Sequence, residues 1–173
     1  ESTIGSYLPM ALGTDKAWIK IKDLLTHQSG LKSWIPFYKE TLDSLGNPRT
    51  DIYTKSMQGK YSIKVANNLY MHSTWVDTMW KRILTSTMGP RKYEYSDLNF
   101  IFLQRIVEKI TGTSLEAFVN KNFYQPLNLN RTMYNPLKKG MNLSSIAPTE
   151  QDDYFRFQTV HGYVHDMAAA MFG

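Results

Sequence analysis

The segment from Ser96 to Gly112, SDLNFIFLQRIVEKITG, constrains the fold more than any other part of the chain. Its apolar residues recur every three or four positions, which is the period of a helix. They form two stripes, one of Leu98, Ile101, Phe102 and Ile106 and one of Phe100, Leu103, Val107 and Ile110. Ser96 suits the N-cap, and Gly112 suits the left-handed position after the last turn. The pattern predicts a helix over residues 96–111 that is buried around most of its circumference.

Other periodic segments predict further helices near residues 21–28, 74–86 and 114–124. The last begins with Thr113 and Glu116, the spacing of a capping box. Residues 32–60 read as a long polar loop, a kind of segment that often covers a binding site. Strands are expected to be few and short. The predicted fold class is therefore mainly α with a few short strands, in one compact module over residues 1–173.

Composition excludes several classes of protein. A chain of 173 residues with 42% hydrophobic content is long enough for one globular core. The net charge of +5 comes from scattered lysines and arginines, so no nucleic-acid partner is expected. No apolar run approaches the ~18 residues of a membrane span. The absence of cysteine excludes disulfides and thiolate metal sites.

Five short motifs follow one another in the order in which they occur in a known family. They are Ser6-Tyr7-Leu8-Pro9, Leu24-Leu25-Thr26-His27-Gln28-Ser29-Gly30-Leu31, Tyr95-Ser96-Asp97, Ile146-Ala147-Pro148-Thr149-Glu150 and His161-Gly162-Tyr163-Val164-His165-Asp166. Together they resemble the serine β-lactamase and penicillin-binding-protein superfamily, in particular the class C-like branch with esterases and D-aminopeptidases. The resemblance implies a helical subdomain of a β-lactamase/transpeptidase-like fold and a periplasmic or secreted location. No cofactor is predicted.

The resemblance also implies the site residues Tyr95 and Asp97. In the family, the tyrosine relays a proton between nucleophile and leaving group. A free tyrosine has a pKa of about 10, so a tyrosine base needs cations nearby, which the family supplies from other motifs. Tyr93 is the rival candidate, but Ser96-Asp97 directly follows Tyr95.

Asp97 stands where many relatives have asparagine. A carboxylate accepts hydrogen bonds but does not donate them, so Asp97 would pair with the lysine of the nucleophile helix. This departure favours ester or peptide substrates over β-lactams. For the full enzyme, the resemblance implies a small-molecule or peptide/cell-wall-type acyl substrate. Alternatively, Asp97 complements the positive end of its helix, and both roles can hold together.

The family attacks with the serine of a Ser-x-x-Lys motif and carries a Lys/His-Thr/Ser-Gly strand. We expect both motifs to lie outside residues 1–173, in the remainder of the catalytic domain, so that this chain alone is inactive. The Ser-x-x-Lys sequence at Ser29 and Lys32 is rejected as the nucleophile. It follows a short helical run, whereas an activated serine of this type needs a helix N-terminus.

Histidines do not change this interpretation. His161 and His165 are four residues apart, but Gly162 and Val164 make a poor helix, so no metal site is predicted. His27 is expected to be a buried histidine bonded to nearby backbone. One alternative of a different class stays open, namely a non-catalytic helical module that binds a peptide, glycan or protein partner.

Overall fold

The computed structural model describes residues 2–173, which form two compact units. The first unit holds the chain up to Ile35 together with Lys81–Tyr134. The second unit holds Pro36–Trp80 and Asn135–Gly173. The single-module assignment over residues 1–173 stays a prediction.

Helices and strands alternate irregularly along the described part of the chain. Its α-helices are α1 (Ile21–Leu25), α2 (Trp75–Thr85), α3 (Asp97–Thr111), α4 (Leu115–Val119) and α5 (Met167–Phe172). Its strands are β1 (Tyr53–Thr54), β2 (Tyr61–Ala66), β3 (Leu69–His72), β4 (Pro148–Asp152) and β5 (Gln158–His161). Helix accounts for 38% of the residues and strand for 15%. Within residues 2–173, none of the helices combines the length and apolar character needed to cross a membrane.

Helix α3 forms the centre of the first unit and packs against α1. The predicted first stripe is buried throughout, at Leu98, Ile101, Phe102 and Ile106. The second stripe is not a core face, since Phe100 is 51% and Ile110 61% exposed. Leu103 and Val107 of this stripe are half-buried, so the expectation of burial around most of the circumference is wrong at its two ends, which are open to solvent.

The helix ends show which local signals operate. Gly112 takes the predicted left-handed conformation, with φ of 68°. Ser96 holds the N-cap position, but its hydroxyl does not cap α3 and donates instead to the carbonyl of Lys32. The cap of α4 is Ser114, whose hydroxyl accepts from the backbone N–H of Ala117, rather than the predicted Thr113.

Helix α1 is shorter than the predicted 21–28 helix, and the reason lies in one residue. His27 adopts φ of 53°, a left-handed conformation that a right-handed helix cannot contain. The helix ends at Leu25, and the carbonyl of His27 then accepts from the N–H of Glu94, shortly before α3.

A buried lysine holds the lead-in segment, residues 4–19, in place within the first unit. The Lys16 ammonium donates to the carbonyl of Ser86, the residue that follows α2. It also forms an ion pair of 2.7 Å with Asp15. A cation beside the last carbonyls of a helix complements the helix dipole.

The second unit is built on two small antiparallel sheets. One has the strand order β1-β3-β2, and Tyr53 faces Met71 across it. The other is the hairpin β4-β5, with Asp152 opposite Gln158. Helix α5 packs against β2. The strands are few and short, as predicted. They nevertheless form the two sheets on which this unit is built, so the unit is not a purely helical module.

Candidate active site

Tyr95 lies immediately before the start of α3, and its side chain is 55% exposed. Its ring stacks in a tilted arrangement on the imidazole of His27, with centroids 4.5 Å apart and planes at 31°. Phe100 and Tyr93 contact the same imidazole edge-on, at 5.3 and 6.3 Å. Tyr93 is 71% exposed and, like Tyr95, open to solvent. The structure thus surrounds one histidine with three exposed aromatic rings, which we call the aromatic cluster (Tyr93, Tyr95 and Phe100).

The backbone around Tyr95 is held by the loop of residues 27–33. The hydroxyl of Ser96 donates to the carbonyl of Lys32 over 2.6 Å, and the backbone N–H of Asp97 donates to the carbonyl of Ser33 over 3.0 Å. On the other side of Tyr95, the N–H of Glu94 donates to the carbonyl of His27 over 2.9 Å. Main-chain bonds on both sides of Tyr95 therefore fix the position from which its side chain projects.

A buried chain of polar groups runs beneath this loop. The N–H of Leu31 donates to the hydroxyl of Ser29, which donates to Oδ1 of Asn99 over 2.7 Å. The amide nitrogen of Asn99 lies 2.8 Å from Nδ1 of His27, and the N–H of Ser96 donates to the same Nδ1 over 3.2 Å. Ser29, Ser96 and Asn99 are buried. Since buried polar groups are costly unless they are paired, this network fixes one arrangement of the loop.

The network determines which nitrogen of His27 carries the proton. A backbone N–H only donates, so Nδ1 must be an acceptor and the neutral ring is protonated at Nε2. The amide group that faces Nδ1 is then the donor end of Asn99. The expected backbone bond of His27 is present, although the ring is half-buried rather than buried.

Ser29 is buried, and its hydroxyl already has hydrogen-bond partners. Its hydroxyl is buried, donates to Asn99 and accepts from Leu31. It follows α1 instead of beginning a helix, which agrees with rejection of the Ser29-x-x-Lys32 sequence.

Asp97 is the first residue of α3, and its side chain is half-buried. A carboxylate in the first turn stabilises a helix because the N-terminus carries partial positive charge. This geometry fits the helix-end role of Asp97. Its pairing with a lysine stays a prediction.

Two further motifs meet around Arg156 in the second unit. The guanidinium has no solvent exposure and donates to Asp152 over 2.6 Å and to Glu150 over 2.8 Å. It also donates to the carbonyls of Val164 and His165, at 2.8 and 3.0 Å. One arginine thus ties the motif ending at Glu150 to the motif containing His165.

Asp152 sits in an environment with opposing effects on its carboxyl group. Burial alone would raise the pKa of Asp152. The hydrogen bond from Arg156 and three backbone N–H donors, those of Tyr154, Phe155 and Arg156, outweigh burial, so the pKa of this carboxyl is lowered.

The two histidines four residues apart have separate partners. His161 lies with Nε2 2.5 Å from the carbonyl of Ile146, and His165 lies 3.4 Å from Glu150. Asp166 caps α5 by accepting from the N–H of Ala169. Over residues 2–173, no group of three or more His, Asp or Glu side chains is arranged to hold a metal ion.

Sequence reasoning missed Asn99 and Arg156. Asn99 had a usable signal, because it is three residues before Phe102 and seven before Ile106 and so lies on the buried face of α3. A polar residue on such a face needs a partner. Arg156 had no usable sequence signal. Its spacing of four from Asp152 suggests an ion pair on a helix, whereas the structure places the two residues at a hairpin turn.

The fold is that of β-lactamases and penicillin-binding proteins. A structural neighbour, the octameric penicillin-binding protein homologue from Pyrococcus abyssi, aligns with 99% of this chain and 37% of its own, with a TM-score of 0.50 and 13% identity. The model of the beta-lactamase family matches residues 1–171. The chain therefore belongs to the beta-lactamase family, a family of β-lactamase-related hydrolases.

Two curated relatives agree with this membership. An N-acetylmuramyl-L-alanine amidase of Bacillus subtilis is 32% identical over 184 aligned residues, which cover 96% of this chain and 36% of the amidase. A "Putative D-alanyl-D-alanine carboxypeptidase" of Escherichia coli is 38% identical over 101 residues, which cover 53% of this chain and 23% of that protein. The chain thus spans about a third of the amidase and about a quarter of the carboxypeptidase.

Proposed function

We propose that this chain supplies the tyrosine element of a serine hydrolase that transfers acyl groups from ester, peptide or β-lactam substrates. In this proposal Tyr95 carries a proton between nucleophile and leaving group. The observation that carries it is the position of Tyr95, exposed at the start of α3 and held on both sides by main-chain bonds in a member of the β-lactamase family. A proton carrier has to be open to substrate and held in place, and the exposed side chain and anchored backbone of Tyr95 support this role.

Asp97 is assigned the role of positioning a lysine. It follows Tyr95 by two residues and, as a carboxylate, can accept from an ammonium group. Asp97 does not supply the donor to a substrate carbonyl that the asparagine of many relatives could supply. This favours ester or peptide substrates over β-lactams.

The substrate class is inferred from the relatives. The amidase is named for N-acetylmuramyl-L-alanine and the carboxypeptidase for D-alanyl-D-alanine. We infer a peptide-type acyl substrate of the bacterial cell wall, and with it a periplasmic or secreted location.

The Ser-x-x-Lys and Lys/His-Thr/Ser-Gly motifs that complete a site of this type are assigned to the remainder of the catalytic domain. Residues 1–173 are assigned to a mainly α portion of that domain. We infer that these residues alone hydrolyse no acyl substrate. The single Ser-x-x-Lys sequence has its serine buried and hydrogen-bonded to Asn99, which supports this inference.

The test is Tyr95→Phe in the full-length gene product. The change keeps the ring and its contact with His27 but removes the hydroxyl, so folding should be retained while kcat falls. General acid–base catalysis contributes ~10²–10⁴-fold, and the loss should be of that order. Tyr93→Phe is the matched control, because Tyr93 is another exposed tyrosine beside His27. Full activity of Tyr95→Phe, or the large loss in Tyr93→Phe, would show that the wrong tyrosine had been chosen.

A second function is favoured by the aromatic cluster. Three exposed rings around one histidine form a surface suited to a peptide, glycan or protein partner without catalysis. A fluorophosphonate probe separates the two proposals. Stoichiometric labelling of the full-length gene product supports the hydrolase, and binding of a partner without labelling supports the non-catalytic module.

A further inference from the structure

We propose that His27 is a positioning residue for Tyr95, a role that rests on the proposed function of that tyrosine. In this role the imidazole touches neither substrate nor nucleophile. By packing against the Tyr95 ring, it restricts the side-chain rotamers that Tyr95 can adopt and so sets the position of the Tyr95 hydroxyl.

The contact between the two rings is the first argument. Tyr95 is more than half exposed, and the imidazole of His27, at 4.5 Å, is nearer to its ring than Phe100 at 6.3 Å. Main-chain bonds fix where the Tyr95 backbone lies, but they do not fix its side-chain torsions. A stacked neighbour does so, because rotation of the tyrosine away from it loses the ring contact.

The second argument is that His27 is itself immobilised. Its Nδ1 accepts from two groups of the α3 start, the N–H of Ser96 and the amide of Asn99. The amide is held in turn by the hydroxyl of Ser29. His27 can restrict the Tyr95 ring only if the imidazole itself keeps one position. The imidazole is half-buried and anchored through Nδ1, which supports this.

The third argument is the backbone of His27. Its left-handed conformation, with φ of 53°, is one that a residue other than glycine adopts only at a cost. It lets the carbonyl of His27 accept from Glu94 while Nδ1 accepts from Ser96. One residue therefore contacts the backbone on both sides of Tyr95 and the ring between them.

The test is His27→Asn in the full-length gene product. Asparagine tolerates the left-handed conformation, and its side-chain oxygen can replace Nδ1 as acceptor from Ser96 and Asn99. The change removes the imidazole ring that contacts Tyr95, and with it the edge-on contacts to Tyr93 and Phe100. We expect kcat to fall about tenfold to a hundredfold, the range expected for a misplaced reacting group, with KM changed less than about twofold.

The same change in a Tyr95→Phe background separates positioning from general damage. If His27 acts by placing the Tyr95 hydroxyl, His27→Asn should cause no further loss of kcat once that hydroxyl is gone. Equal losses in the two backgrounds, or full activity of His27→Asn alone, would overturn the proposal. Failure of Tyr95→Phe to lower kcat would instead overturn the proposed function, and the two failures are therefore distinguishable.

His72→Asn is the matched control. His72 is also half-buried, its ring lies 4.9 Å from Tyr61, and its Nδ1 is hydrogen-bonded to Thr74, but it belongs to the second unit. It should leave kcat unchanged. If His27→Asn does not fold, Asn99→Ala replaces it, because this change removes one of the two donors that hold His27. A fall in kcat that disappears in the Tyr95→Phe background supports the proposal, and one that persists there overturns it.

Discussion

Replacement of Arg156 by methionine should be among the most destabilising single changes in the second unit. The guanidinium is wholly buried and makes hydrogen bonds with Asp152, Glu150 and two backbone carbonyls. Removal of one partner of a buried ion pair typically costs about 3–5 kcal/mol, because the other charge is left uncompensated. Asp152 keeps three backbone N–H donors, so the cost should lie near the lower end, about 3 kcal/mol.

The pH dependence of this loss follows from the direction of the pKa shift. Because the pKa of Asp152 is lowered on folding, its carboxylate stabilises the protein above the ordinary carboxyl pKa. That contribution disappears as the pH falls through the lowered value. Without Arg156 much of the lowering is lost, so the difference in unfolding free energy between the parent and Arg156→Met should shrink as the pH falls below about 4.

The measurement is urea unfolding followed by tryptophan fluorescence at pH 7 and at pH 3. At pH 7 the loss should lower the urea midpoint, and in a parallel thermal scan it should lower Tm by roughly 6–12 °C for a chain of 173 residues. Arg49→Met is the matched control, since Arg49 also forms a 2.6 Å ion pair, with Asp51, but at the surface, where it should matter little. A loss of the same size at both pH values, or one no larger than that of Arg49→Met, would refute the reasoning.

Three further outcomes are expected. Gly30→Ala should destabilise the protein more than Gly13→Ala in thermal unfolding. Both glycines have positive φ, but a Cβ at Gly30 would lie 2.7 Å from the carbonyl oxygen of Gly89, whereas a Cβ at Gly13 would have no atom within 4 Å. Equal effects of the two changes would contradict this prediction. Asp97→Asn should keep more activity than Tyr95→Phe and shift preference towards amide-bearing substrates, because the amide restores a donor; a larger loss than that of Tyr95→Phe would count against the assigned roles. Residues 1–173 treated with a fluorophosphonate or labelled penicillin should stay unmodified by mass spectrometry, and labelling at Ser29 would reverse the rejection of that serine.

The elements that could be predicted from the sequence are those that depend on neighbours in the chain. Helix α3 appeared at almost its predicted bounds because periodicity and a left-handed glycine are local properties. The exposed second stripe could not be foreseen, since periodicity reports which side chains share a face and not what covers that face. The hydroxyl of Ser96 was assigned to the wrong partner for a similar reason, because Lys32 is 64 positions away in the sequence.

In the candidate site, too, features set by adjacent residues could be predicted and features set by distant residues could not. Tyr95 and Asp97 came from a resemblance carried by adjacent residues, and their roles remain predictions. The network that supports Tyr95 joins Ser29 to Asn99 across 70 positions, and only folding brings these side chains together. Polar residues on a predicted core face are therefore the sequence feature that most deserves a search for distant partners.

The buried lysine of the lead-in segment has a consequence for local unfolding. Lys16 binds the carbonyl of Ser86, so the lead-in cannot detach without exposing that ammonium and releasing the end of α2. Segments joined in this way open together rather than fraying independently. We therefore expect the amides of residues 4–19 to exchange hydrogen with solvent in step with those of residues 81–86, as one cooperative unit, although about 70 positions separate the two segments in the sequence.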